Sequence, residues 1–98
     1  MKTKVIFRKW HNGDVIAIFP DVLADMSPHH CSSYERVGQH GAACPDDIVC
    51  RDLTDPATPA EYADLAAELA WLNYDLAPVK RIPRDSMDKR RAALATLA

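Results

Sequence analysis

Asn12-Gly13 is the pair that most constrains this chain. It lies between two β-rich runs, Val5-Ile6-Phe7 and Val15-Ile16-Ala17-Ile18-Phe19. Asn-Gly is favoured in a two-residue type I′ loop, because both central residues there need φ > 0. That loop predicts an antiparallel hairpin over 3–19 with a defined register. His11 faces Asp14, Trp10 faces Val15, Arg8 faces Ala17 and Ile6 faces Phe19, while Lys9 meets Ile16 and Phe7 meets Ile18. Side chains alternate between faces. One face then holds Ile6, Trp10, Val15, Ala17 and Phe19, and the other holds Val5, Phe7, Ile16 and Ile18. Both are apolar, which a hairpin with one wet face does not need. The rest of the chain is expected to cover both, with a partner as the alternative cover.

Pro20 is expected to end the second strand, since it cannot donate to a ladder. Residues 20–46 then read as a long irregular connection punctuated by Pro28, Gly38, Gly41 and Pro45. Structureless loops of that length are uncommon and usually functional. Within it, Gly38-Gln39-His40-Gly41 reads as a tight turn that buries or presents Gln39 and His40. Asp47–Arg51 reads as a third strand and Asp55–Pro59 as a linker.

The main helix has clear start and stop signals. Thr58 is a good N-cap, Pro59 suits the first helical position and Glu61 completes a capping box. Tyr62, Leu65, Leu69 and Leu72 follow at helical spacing, with Ala66 filling in. Asn73 suits the left-handed residue that stops a helix. Trp71 falls about 180° from the apolar stripe at 3.6 residues per turn, on an outer face with Ala60, Asp64 and Ala67. Either it is a hot spot for a partner or the C-terminal helix folds over it. Leu76–Ile82 reads as a fourth strand, at an edge because of Pro78. Asp85 or Ser86 caps a last helix over 87–97, with Met87, Leu94 and Leu97 on one stripe.

These elements make one α+β domain over residues 1–98. A small antiparallel sheet, the hairpin plus one or two further strands, packs against one main helix, with a C-terminal helix in 84–98. A 98-residue chain with 48% hydrophobic and 27% charged residues has the composition of a globular domain. No apolar run approaches the roughly 20 residues of a membrane span, and Arg8 and Lys9 interrupt the start too early for a signal peptide. A cytoplasmic protein is expected, with no membrane partner. Three cysteines, Cys31, Cys44 and Cys50, are an odd number and read as reduced thiols.

Charge is segregated along the chain. Residues 10–75 carry twelve carboxylates against Arg36 and Arg51, a segment charge of −10, while residues 1–9 and 76–98 each carry +4. The segments either neutralise one another in the fold or form an acidic face for a basic partner.

No motif fixes a reaction. His29, His30, Cys31, His40, Cys44 and Cys50 are the right residue types for zinc, but their spacing matches no finger or ribbon. Cys31 or Cys44 beside His30 or His40 is the other chemical option, a thiol nucleophile with a base. Lys80, Arg81, Arg84, Lys89, Arg90 and Arg91 form a basic tail suited to phosphates, though without interleaved aromatics.

Several segments resemble a family of small uncharacterised bacterial proteins. The likeness lies in Val5-Ile6-Phe7-Arg8-Lys9, Gly13-Asp14-Val15-Ile16-Ala17 and Phe19-Pro20. It continues in Ser33-Tyr34 with Val37-Gly38-Gln39-His40-Gly41-Ala42, in Ala57-Thr58-Pro59-Ala60-Glu61-Tyr62 with Leu65 and Glu68-Leu69, and in Val79-Lys80-Arg81. It covers most of residues 3–82 and departs at Asn73-Tyr74, where Gly-Tyr is expected, and at His29-His30-Cys31. Members occur in bacterial genomes and in phage or other mobile elements. The resemblance implies an accessory protein and assigns no catalytic residue. By analogy with anti-CRISPR proteins, several of which place acidic surfaces where DNA phosphates would go, the acidic middle fits an inhibitor of host machinery.

The expectation is therefore a non-enzymatic interaction protein, without a cofactor. It binds and inhibits a host protein or protein–nucleic acid complex, with a homodimer as a further candidate assembly. Trp71, Asp64, Glu68, Tyr34, Gln39, His40, Asp46 and Asp47 are its candidate contact residues. The alternatives are a zinc-binding or Cys/His catalytic domain and a nucleic-acid binder that uses the basic tail.

Overall fold

Three residues, not two, turn the first hairpin. The structure, a computed structural model, describes residues 2–35 and 39–97. Strand β1 (Thr3–Trp10) and strand β2 (Val15–Leu23) pair antiparallel with Ile6 opposite Ile18, Phe7 opposite Ala17, Arg8 opposite Ile16 and Lys9 opposite Val15. Gly13 N–H donates to the Trp10 carbonyl at 2.9 Å, and Trp10 N–H donates to the Asp14 carbonyl at 2.8 Å. Gly13 has φ of 96° and Asn12 has a negative φ. This is a type I turn closed by a left-handed glycine bulge, the usual three-residue hairpin loop. The Asn12 side chain favours it by accepting from the Asp14 N–H at 3.0 Å.

The expected register is thus off by one, and a slip of one re-sorts every side chain of one strand. The actual faces are Val5, Phe7, Ala17 and Phe19 on one side, and Ile6, Ile16 and Ile18 on the other. Both are covered by the chain, as the apolar pattern required.

Most of the described residues within 20–46 belong to regular elements, not to an irregular loop. β2 continues past Pro20 to Leu23 through a register shift between Phe19 and Leu23, a bulge of the kind that admits proline to a sheet. Strand β3 (Cys31–Glu35) and strand β4 (Gln39–Ala43) follow, so Gln39, His40 and Gly41 lie in an edge strand rather than a tight turn. Gly38 is outside the described residues. Asp47–Arg51 is not a strand either. Helix α1 spans Pro45–Cys50, because Pro45 occupies the first turn and Asp46 and Asp47 add favourable charge there. Part of the expected linker is strand β5 (Thr54–Pro56), antiparallel to β1.

Helix α2 (Pro59–Trp71) has the expected capping box at both bonds. Its C-terminus is a Schellman turn: Tyr74 N–H donates to the Leu69 carbonyl and Asn73 N–H to the Ala70 carbonyl, with Asn73 at φ 74°. Leu65 and Leu69 are buried against Val5, Phe7 and Phe19, and Tyr62 stacks on Phe7 at 4.1 Å. Strand β6 is only Leu76–Pro78 and runs parallel to β1. Helix α3 (Ser86–Leu97) follows.

The sheet order is β4-β3-β2-β1-β5, with β6 sharing the outer edge of β1. α2 covers one face. α1, together with Val79 and Ile82, covers the other, and α3 lies beside α1 there, packed against β2. Polar contacts anchor α3. Ser86 and Arg90 are its buried residues, whereas Leu97 is exposed. The Arg90 guanidinium donates to the Pro20 carbonyl and, at 2.7 Å, to the Pro28 carbonyl. Ser86 and Lys89 donate to the Asp21 carboxylate at 2.6 and 3.2 Å. No described helix is long and apolar enough to cross a membrane.

Candidate interaction surface

The apolar stripe of α2 decides where the acidic residues of that helix go. With Leu65 and Leu69 pinned on the sheet, Glu61, Asp64 and Glu68 fall toward the hairpin tip and the ends of β3 and β4. They line a groove of about 500 Å³ with Gly13, Asp14, Val15, Glu35 and Gln39. Five carboxylates share this groove. Lys9 pairs with Glu61, and Trp10 Nε1 donates to Glu35 at 3.3 Å. The hydrogen bond from Lys9, aided by the Thr58 N–H, holds the Glu61 carboxyl down at about 2.

Glu68 is positioned by Tyr34, which is buried at 1% exposure. The Tyr34 hydroxyl donates to the Glu68 carboxylate, and His40 packs edge-on to the Tyr34 ring at 4.7 Å. His40 Nε2 lies 3.0 Å from the Tyr74 hydroxyl, and Tyr74 stacks on Phe19 at 5.1 Å. A chain of rings thus ties β4 to the end of α2. Tyr34 itself is inside the protein, so it acts on the surface only through Glu68.

Trp71 is 82% exposed. α3 does not fold over it, because the polar anchors of α3 hold that helix on the other side of the sheet. Asp64, seven residues earlier, projects in nearly the same direction from α2, about 10 Å along the axis at 1.5 Å per residue. Trp71 is therefore in line with the rim of the acidic groove.

Asp46 and Asp47 are elsewhere, on α1. Asp47 pairs with Arg51 at 3.1 Å and lines a second groove, of about 470 Å³, that follows all of β4. Its apolar lining comes from Trp10, Ile16, Ala43, Ile48 and Leu53. Asp46 shares a third groove with Arg81 and Arg84. The acidic middle is thus divided between two faces, and part of it meets the basic tail. Sequence reasoning missed Asp14, Glu35 and Glu61 in the first groove. Glu61 was legible only as a cap, and β3, Cys-Ser-Ser-Tyr-Glu, has no apolar alternation to reveal it.

The residues considered for chemistry do not converge. Among the described residues no three His, Cys, Asp or Glu side chains gather as a metal site would require. His30 Nδ1 lies 2.8 Å from Asp25, and His40 is engaged by Tyr74. Cys31 is buried, and burial pushes its thiol up to about 11, the opposite of what a nucleophilic thiolate needs. Cys44 is half-buried and Cys50 exposed. In the basic tail, Arg90 is buried and Lys89 pairs with Asp21 and Asp85. Lys80, Arg81, Arg84 and Arg91 remain exposed. No family model, no curated protein and no solved structure matches this chain.

Proposed function

We propose that the protein is a non-catalytic interaction module that engages a partner protein through the outer side of α2 and the adjoining acidic groove. One observation carries this reading: Trp71 stands 82% exposed at the end of a helix whose other side is fully used by the core. Trp is the residue type most enriched among binding hot spots, and nothing in the fold needs it there. Asp64 and Glu68, earlier on the same helix, supply carboxylates to the adjoining groove, which favours a basic partner and speeds its encounter. That the partner is host machinery, and that the protein acts as a phage- or mobile-element-borne inhibitor in the cytoplasm, rests on the family resemblance and the anti-CRISPR analogy alone.

The test is capture from a bacterial lysate with the wild-type protein and the Trp71→Ala variant. Removing an exposed side chain should change stability by less than ~0.5 kcal/mol, so both proteins melt together. A partner enriched by the wild type and lost with Trp71→Ala supports the reading. If wild type and variant enrich the same proteins, Trp71 is not a contact and the reading fails.

A further inference from the structure

The two edges of the sheet are treated differently. On the β1 side the edge is divided between β5 and β6, each three residues long, and both contain a proline, Pro56 and Pro78. Short strands, proline and the charge of Asp55 are the usual protections against strand addition. The opposite edge, β4, has none of them. Gln39-His40-Gly41-Ala42-Ala43 has no proline and no Lys, Arg, Asp or Glu, and four of its five residues are exposed. Among the described residues no backbone hydrogen bond reaches β4 from its outer side. Gly41 at its centre has no side chain to keep another backbone away.

Two grooves flank this edge. The groove on the α1 side follows β4 from Gln39 to Cys44 and is floored by Trp10, Ile16, Ile48 and Leu53. The acidic groove on the α2 side meets the Gln39 end and carries Asp64 and Glu68. A strand laid along β4 would point alternate side chains to these two sides. One set meets the surface of Trp10, Ile16 and Leu53, which also carries Glu35 and Asp47, and the other meets Asp64 and Glu68.

We propose that β4 is the docking edge of the protein. An extended segment of a partner protein, with apolar residues alternating with Lys or Arg, adds to the sheet beside Gln39–Ala43. Its apolar side chains enter the groove against Trp10 and Leu53, and its basic side chains meet Asp64 and Glu68. This deepens the interaction reading and rests on it. Charge complementarity selects this occupant over a second copy of the chain. Antiparallel pairing of β4 with its own copy would set Gln39 opposite Ala43 and offer Asp64 and Glu68 no basic side chain, since β4 carries no Lys or Arg.

The probe is a capped heptapeptide, Lys-Val-Lys-Val-Lys-Val-Lys, titrated into the intact protein and followed by amide NMR shifts. The proposal expects shifts at residues 39–43, at least tenfold weaker binding of the Glu-Val analogue, and loss of binding on N-methylation of alternate peptide amides. Gly41→Pro and Ala42→Pro are tested together, since adjacent N–H groups in a strand point opposite ways. The variant whose lost N–H faced outward keeps the fold and should lose the peptide. Absence of shifts at 39–43 up to millimolar peptide overturns the proposal, as does equal binding of the Glu-Val analogue or a dimer joined through β4. Trp71-dependent capture persisting alongside such a failure would leave the interaction reading standing without the edge.

Discussion

The Arg90 guanidinium donates to the backbone carbonyl of Pro20 and so fastens α3 to the bulge in β2. Arg90 is 2% exposed and also donates to Pro28. Arg90→Ala leaves two carbonyls without this donor, and unmaking buried hydrogen bonds of this kind costs about 2–4 kcal/mol. Arg91→Ala, on the exposed side, should stay within ~0.5 kcal/mol. Urea denaturation of both variants checks this. Equal, small effects would return Arg90 to the free cations available for phosphate.

Acid should weaken the fold through Glu61. Its carboxyl is held at about 2 instead of 4.5 by the Lys9 hydrogen bond and the Thr58 N–H. A folded-state value below the unfolded one stabilises the protein above pH ~4.5, and that contribution disappears as the pH falls toward 2. Asp21 acts in the same direction: burial pushes it up, but hydrogen bonds from Ser86 and Lys89 outweigh this and hold it low. Glu61→Gln keeps a capping acceptor and should flatten the loss of stability between pH 5 and 2.5. Parallel stability–pH curves for the two proteins would contradict this account.

The cysteines should differ in access. Cys50 is exposed, Cys44 half-buried and Cys31 fully buried with its thiol pushed up to about 11. Iodoacetamide at pH 8 is expected to modify Cys50 first and Cys44 more slowly, and to reach Cys31 only in denaturant. Peptide mass spectrometry reads the order. Native-state labelling of Cys31 as fast as Cys50 would restore it as a candidate nucleophile.

The hairpin turn makes a prediction that separates its two possible geometries. Gly13→Ala should cost about 1 kcal/mol or more, because φ there is 96° and alanine is strained at positive φ. Asn12→Gly should cost about 0.5–1 kcal/mol, since it loses a negative-φ residue and the side-chain bond to Asp14. In a two-residue type I′ loop the same change would be close to neutral. Thermal melts of the two variants distinguish these cases.

The readable parts of the sequence were those whose signals are local. Thr58, Pro59 and Glu61 determine the start of α2 and Asn73 its end, because each acts on backbone groups within four residues. The presence of the hairpin, the two-sided apolar pattern and a C-terminal helix after Pro83 were legible for the same reason. So was the placement of Trp71 opposite the Leu65–Leu69 stripe, which follows from helical period alone. The Pro45-Asp46-Asp47 start of α1 was also written locally. It was outweighed by the β-branched pair Ile48-Val49, which suits a short strand as well as a short helix.

Tertiary structure decided the rest. Register across β1–β2 depended on whether Asn12 took a positive or a negative φ, a choice small in energy that re-sorts every side chain of one strand. β3 and β4 carry almost no apolar alternation, so they exist as strands because β2 offers hydrogen bonds to β3 and β3 in turn to β4, not because of their own propensity. The acidic groove brings Asp14, Glu35 and Glu61–Glu68 together from three elements, and only the packing of α2 on the sheet makes them neighbours. Local backbone preference acts over a few residues and can be read from the chain. Burial and strand pairing act between residues far apart in sequence, and they determine which surfaces, among them Trp71 and the edge of β4, remain open.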